Sequence, residues 1–195
     1  MERIKLILIG GTSHVGKSTL GRRLAEERAW DCLSTDQLAR HPGRPWKVGE
    51  GRVPDDVVQH YTELSVPELA ESVLLHYRNN VWPVVDAIIH SRLNNPFDIG
   101  LVLEGSAILP DMCSMAEYAR VGAMWLTAPD HLIAGRIKQS SRYETSTAAE
   151  RRLVDAFLER SIAFNRIIKD SAESNGQSVV DASSGTVFET LRSFT

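Results

Sequence analysis

Gly11-Thr12-Ser13-His14-Val15-Gly16-Lys17-Ser18 is a glycine, four residues, then Gly-Lys-Ser, which is the spacing of a phosphate-binding loop. Such a spacing also arises by chance, so its flanks decide. Directly before it, Ile4 to Ile9 is almost continuously apolar and runs into Gly10-Gly11, as expected of a strand buried on both faces of a parallel sheet. Directly after it, Leu20 and Leu24-Ala25 recur at helical spacing among Arg22, Arg23, Glu26 and Glu27, predicting an amphipathic helix from Lys17 to about Arg28. A strand, a glycine-rich turn and a helix in that order converge backbone N–H groups and the positive end of a helix dipole on one point. The run Gly11, Thr12, Ser13, His14, Val15, Gly16, Lys17, Ser18 and Thr19 is therefore expected to cradle the phosphates of ATP. His14 is expected to contribute its backbone N–H rather than its ring. Lys17 adds a movable charge on the β- and γ-phosphates, and the Ser18 hydroxyl is a ligand for Mg²⁺.

Working outward, Asp31 to Thr35 reads as a short second strand ending at Asp36, and His41 to Trp46 as a loop broken by two prolines and a glycine. Helical patterns follow over Pro54 to Tyr61, Val66 to Arg78 and Val81 to Leu93, expected to cover one sheet face. Ile99 to Leu103, Val121 to Thr127 and Ser178 to Val180 read as further strands. Asp130 to Lys138, Ala148 to about Ser174 and Thr186 to Phe194 read as helices. Strands alternating with helices predict an α/β fold of three layers, a parallel sheet of about five strands with helices on both faces. The polar run Gln139 to Thr147 is expected to be a mobile flap, making a lid of about residues 136–147.

The chain has 195 residues, 43% hydrophobic and 24% charged, which suits a single domain spanning 1–195 and argues against a disordered chain. With 22 basic against 25 acidic residues, it lacks the positive excess on which nucleic-acid binding rests. Cys32 and Cys113 stand far apart, so neither a disulfide framework nor a zinc site is indicated. The apolar run Leu6 to Ile9 is too short for a signal core or membrane span. A cytoplasmic protein is expected, monomer or homodimer, with small-molecule partners and neither nucleic acid nor membrane.

The Asp-x-x-Gly and Asn-Lys-x-Asp strings that a GTPase would carry are absent from the sequence, and the strand ending Leu103-Glu104-Gly105 lacks the Asp-Glu of a mechanical ATPase. A small phosphotransferase fits better. Asp36, at the carboxyl edge of the sheet, is placed to accept the proton of an acceptor hydroxyl, the competing role being a helix N-cap. Glu104 would orient a Mg²⁺-bound water or hold the acceptor, unless it merely pairs with an arginine. Arg136 and Arg142 flank the flap and would meet the transferring phosphoryl on closure, although a solvated helix face explains them equally simply. Arg40, His41 and Arg44 would recognise an anionic acceptor, with incidental surface charge as the alternative. Trp46 is expected near the acceptor.

In these motifs the chain resembles the nucleoside-monophosphate-kinase-like small-molecule kinases, over most of its length. Ser34-Thr35-Asp36 with Arg40 is similar to the acceptor-side segment of shikimate and polynucleotide-type kinases. Pro129 to Ile137 resembles the adenylate-kinase segment entering the lid, which implies that Arg136 packs on adenine. Val180-Asp181-Ala182-Ser183-Ser184 is similar to the loop after the last strand, which implies base contacts from Asp181 and Ala182. Leu103 to Pro110 and the Phe157 to Ala172 helix resemble 2-phosphoglycerate kinase. The resemblance implies an ATP- and Mg²⁺-dependent kinase acting on a small hydroxyl-bearing acceptor, such as a phosphorylated or carboxylated sugar acid or an antibiotic-like compound. The rival is a regulatory nucleotide-binding module without an acceptor.

Overall fold

Alternation along one central strand divides the core into two layers. β1 (Leu6–Gly11) is buried throughout, and its successive side chains point to opposite faces, so Leu6 and Leu8 enter one core while Ile7 and Ile9 enter the other. The computed structural model describes residues 4–39, 42–46, 52–95, 99–113, 120–185 and 187–192. Beside β1 lie β3 (Leu101–Glu104) and β4 (Val121–Thr127), with β2 (Asp31–Ser34) and β5 (Val179–Asp181) outside them, in the order β2-β3-β1-β4-β5. Every pairing is parallel, as the alternating pattern requires. Glu104 is in register with both Ile9 and Ser34, so the carboxyl ends of three strands share one edge.

Helices cover both faces. One core takes Val73 of α3 (Val66–His76), Val85 and Ile89 of α4 (Trp82–Asn94), and Phe164 and Ile168 of α6 (Ala148–Ser174). The other takes Leu24 of α1 (Lys17–Arg28), Val57 and Tyr61 of α2 (Asp55–Glu63), and Ile133 and Ile137 of α5 (Asp130–Ser140). The expectation that the three middle helices share one face is thus corrected: α2 packs opposite α4. The helix α6 has 27 residues, about 40 Å at 1.5 Å per residue, and supplies Phe157 to one core and Phe164 to the other. A short α7 (Val187–Arg192) closes the chain.

Three local differences from the sequence reading have physical causes. The expected break between two middle helices is a π-turn over Tyr77–Val81 that joins α3 to α4. Pro83, in the first turn of α4, has no N–H to give to the ladder, and a wider turn absorbs the loss. The turn after β2 is a 3₁₀ segment, Thr35–Gln37, in which Asp36 N donates to Ser34 Oγ at 3.4 Å. Ser34, not Asp36, caps it, and the Asp36 carboxylate is left for other use. The third difference concerns the flap. Its polar residues find polar partners: Tyr143 donates to Asp155 at 3.0 Å, Arg151 donates to the carbonyls of Tyr143 and Glu144, and Lys138 and Arg151 both lie over the Tyr143 ring. A reciprocal Thr147–Glu150 capping box then starts α6. These contacts strap the connection between α5 and α6.

Cys32 is exposed and Cys113 buried, both as free thiols. Among the described residues, no helix is long and apolar enough to cross a membrane.

Trp125, fully buried in β4, donates its ring N–H to the Ile108 carbonyl at 3.0 Å and fixes the segment after β3 against the sheet. Gly10 lies against that ring. A Cβ at Gly10 would stand 2.4 Å from the Trp125 ring and 2.7 Å from the Ile108 oxygen, so Gly10→Ala must push either the indole or the backbone. The expected cost is about 1–3 kcal/mol, read as a lower urea midpoint at unchanged m-value. An unchanged midpoint would refute this packing.

Candidate active site

A cleft of about 1130 Å³ opens at the carboxyl edge of the sheet, where α/β folds bind ligands. Residues Thr12 to Thr19 form its floor. Gly11 has φ 134°, and a Cβ there would lie 2.3 Å from the Leu126 carbonyl oxygen, so only glycine lets the loop leave β1 this close to β4. Gly16, at φ 109°, turns the chain into α1. The first turn of α1 carries no acidic residue and no capping side chain, so its N–H groups remain for an anion. From below, Thr12 Oγ1 donates to the Ser161 carbonyl of α6 at 2.9 Å, tying the loop to the longest helix.

Lys17 is buried, and its ammonium donates to the Thr12 carbonyl at 2.7 Å. Burial holds its pKa below the ordinary lysine value; Glu104 and Asp36 oppose that shift and Arg44 adds to it. Glu104 is only 3% exposed, at the last position of β3. Gly21 of α1 makes room for it, since a Cβ there would meet Glu104 Cγ at 3.3 Å. Asp36 is exposed on its 3₁₀ turn and lines the same cleft, beside the buried Thr35 hydroxyl, which has no hydrogen-bond partner among the described residues. The Ser18 hydroxyl, Asp36 and Glu104 thus offer hard oxygen donors around the loop. Among the described residues no group of three His, Cys, Asp or Glu forms a metal cage, so the donor set fits an ion that arrives with the nucleotide's phosphates.

His14 departs from the expectation that only its main chain matters. Its φ of 63° is left-handed, and its ring bridges Ser13 Oγ and Ser140 Oγ of α5, each at 2.9 Å. The ring also stands beside Trp46, 5.9 Å between centroids, and Phe157, at 6.2 Å. Burial first, then Arg44, Lys17 and Arg136, push its pKa down to about 4, so it is neutral at physiological pH. Arg136 lines the cleft, and one terminal nitrogen donates to the carbonyls of His14 and Val15 at 2.9 and 3.1 Å.

Of the other expected residues, Arg44 and Ala182 line the cleft, as does Trp46, packed edge-on against Phe157 at 4.8 Å. Asp181 does not line it. Its carboxylate accepts from the N–H and hydroxyl of Ser183 at 2.7 and 2.6 Å, bonds that lower its pKa, while Ser184, Gly185 and Val187 face the cleft instead. Arg142 is exposed, has φ 53°, and lies outside the cleft lining. Arg40 and His41 fall outside the described residues.

Sequence reasoning missed Arg160, Tyr77 and Ser106, which all line the cleft. Arg160, 7% exposed, donates to the Tyr61 hydroxyl at 3.0 Å and lies over the Phe157 and Tyr61 rings at 4.4 and 5.8 Å; its Nε has no partner. Among the described residues, no carboxylate pairs with it. The contacts it does make are worth roughly 0.5–2 kcal/mol each, against a desolvation cost on the order of several kcal/mol for a buried charge. The signal was present: Arg160 sits three residues after Phe157 and four before Phe164, on the apolar face of α6.

No family profile and no curated protein matches the chain. Among solved structures, it is similar to a gluconokinase from Sinorhizobium meliloti 1021, at 17% identity and TM-score 0.54, with 99% of this chain and 91% of that one covered. A shikimate kinase from Acinetobacter baumannii, in complex with shikimate, aligns at 16% identity and TM-score 0.49 over 97% of this chain and 90% of that one. The gluconokinase likeness establishes the fold, a five-stranded parallel sheet flanked by helices as in phosphate-loop kinases.

The His14 environment has a measurable consequence. Between the unfolded value of 6.5 and the folded value of about 4, the unfolded chain binds a proton that the folded protein refuses. Stability must therefore fall as pH drops through that window. Asn tolerates a left-handed φ and does not titrate there, so His14→Asn should have the shallower pH dependence. The difference in slope, from urea titrations between neutral pH and about 4.5, is expected to approach but not reach one proton, because solvent screens part of the effect. Equal slopes would mean that the imidazole protonates freely in the folded state.

Proposed function

We propose that this chain is an ATP- and Mg²⁺-dependent small-molecule kinase that moves the γ-phosphoryl of ATP to an acceptor hydroxyl. One observation carries the reading: the phosphate loop with its buried lysine shares a single cleft with two carboxylates, Asp36 and Glu104, from the neighbouring strand ends. In this reading the loop N–H groups and Lys17 hold the β- and γ-phosphates, and Ser18 and Glu104 would hold Mg²⁺, which when bound neutralises phosphate charge. Asp36 accepts the proton of the acceptor hydroxyl or orients it for attack, and the Arg136 grip on the loop carbonyls keeps the donor site in shape. Ala182 and the residues after it take the base side.

In this reading the acceptor belongs to the range that the sequence motifs imply, phosphorylated or carboxylated sugar acids or antibiotic-like compounds, the motif likeness to 2-phosphoglycerate kinase supporting a small phosphorylated acid. A regulatory module that only binds or slowly hydrolyses nucleotide would have no use for a carboxylate freed from helix capping at Asp36.

Two substitutions separate donor from acceptor roles. Lys17→Ala should keep the fold, read by circular dichroism, and lose most phosphoryl transfer, because the side chain serves the phosphates. Asp36→Asn should lower kcat by about 10²–10⁴-fold while ATP affinity changes little, since it acts on the acceptor. Full transfer by Lys17→Ala would remove the donor assignment. Lost ATP binding with normal turnover in Asp36→Asn would reassign Asp36 to the metal or to structure.

A further inference from the structure

Arg44 stands where the segment after Asp36 meets the phosphate loop, and its neighbours are fastened. The Tyr61 hydroxyl donates to the Gly43 carbonyl at 2.7 Å, Gly43 turns the chain at φ 76°, and Pro45 is buried. The Trp46 ring lies edge-on to Phe157 at 4.8 Å and 5.9 Å from the His14 ring of the phosphate loop. Between these anchors the Arg44 side chain is exposed and lines the cleft. Its charge acts on the His14 ring more strongly than those of Lys17 and Arg136, and it acts on the Lys17 ammonium as well, so the guanidinium faces the phosphate loop. Three cations thus share one end of the cleft. Glu104 and Asp36 act on Lys17, and one terminal nitrogen of Arg136 is taken by the carbonyls of His14 and Val15. Arg44 has no such tie: among the described residues it donates to no acceptor and pairs with no carboxylate. A cation set beside two others without a counter-ion is repelled by them, and its fork of five donors is left for an anion that enters the cleft.

We propose that Arg44 is a catalytic residue that stabilises the γ-phosphoryl in transit, reaching it from the segment after Asp36 and not from the connection between α5 and α6. The proposal rests on the kinase reading above. In that step the bond from the acceptor oxygen to Pγ forms as the bond from Pγ to the β-phosphate oxygen breaks. The electron pair of the broken bond leaves with ADP, and the acceptor's proton goes to Asp36. Negative charge spreads over the three equatorial oxygens of the phosphoryl and must be met where it lies. Lys17 comes from the phosphate loop itself and Arg44 from the chain that follows Asp36, so one cation serves the donor side and the other the acceptor side. The guanidinium stays protonated throughout, and its planar fork spans two oxygens at once. Fastened neighbours deliver it with little freedom left to lose during transfer. An arginine serving only a remote anionic group of the acceptor would not need to stand beside His14 and Lys17.

ADP with aluminium fluoride mimics the phosphoryl in transit and needs no acceptor, so it separates this role from acceptor recognition. Calorimetric titrations of the full chain compare ADP, ADP with aluminium fluoride, and a nonhydrolysable ATP analogue, each with Mg²⁺. The unsubstituted protein is expected to bind ADP with aluminium fluoride about 10²-fold or more tighter than ADP alone. Arg44→Gln should cut that gain by about tenfold or more, while binding of ADP and of the ATP analogue changes by less than about threefold. Arg44→Lys should keep part of the gain, because charge returns without the fork. Arg52→Gln removes a cleft arginine already paired with Asp55 at 3.1 Å and should keep all of it. ADP binding by each variant confirms that it is folded. A gain that survives Arg44→Gln overturns the inference and leaves the kinase reading standing. Three other results also overturn it: an equal loss for the ATP analogue, which would mean ground-state binding alone; an equal loss in Arg52→Gln, which would mean net charge alone; and a loss in Arg142→Gln but not in Arg44→Gln. No gain from aluminium fluoride in the unsubstituted protein would overturn the inference and the kinase reading together.

Discussion

A central strand with parallel neighbours on both sides can open its chemistry only at its carboxyl end. Every backbone group of β1 within the ladder is committed to β3 or β4, and its side chains fill two cores. The chain must leave β1 in a turn tight enough to pass the Leu126 carbonyl, which Gly11 alone permits at that distance. That exit angle points the first turn of α1 back over the sheet edge. Register then supplies the rest, since Ile9, Glu104 and Ser34 lie side by side and place two carboxylate-bearing segments next to the phosphate loop. The cleft follows from strand pairing more than from any loop.

The same edge concentrates charge that a folding chain would rather leave in water. Lys17, Glu104 and Arg160 are each under a tenth exposed. Glu104 and Asp36 act on the Lys17 ammonium, so the cost of burying it is partly offset. Among the described residues no carboxylate forms an ion pair with Arg160, which rests on two aromatic faces. Stability is given up at one position, and such unsatisfied positions cluster where ligands bind. The two cores absorb the loss, with Trp125, Phe157 and the β1 side chains among the most completely buried groups of the protein.

Much of this was legible in the sequence because it was local. The loop spacing, the apolar run before it and the helical repeat after it fixed β1, the turn and α1, with α1 recovered at its observed bounds. The carboxylates at the sheet edge were legible for the same reason: Glu104 ends the apolar run of β3, and Asp36 lies two residues past β2, in the turn that follows it. What escaped depended on distant partners. The polar run after α5 looked unsupported because its stabilising groups, Asp155 and Arg151, lie one to two turns into the next helix. Asp181 looked available, yet the hydroxyl two residues on occupies it. Arg160 was hidden inside a helix whose other arginines, at 151, 152 and 166, are partly or fully exposed.

Arg136 and His14 hold the loop from the side of α5. The Arg136 guanidinium spans two carbonyls of the loop. Those carbonyls belong to peptide units whose conformation aims the neighbouring N–H groups at the anion, so holding them limits the ways the loop can relax. His14 works from the same side. Its left-handed backbone costs energy for any residue but glycine, and its ring recovers contacts with Ser140, Trp46 and Phe157 that glycine would not make. Because burial keeps the imidazole neutral, it adds no second positive charge beside Lys17. In the proposed kinase reading, a loop clamped by α5 before nucleotide arrives would lose less conformational entropy on binding, and that preorganisation would link a helix beyond the sheet edge to the affinity of the donor site.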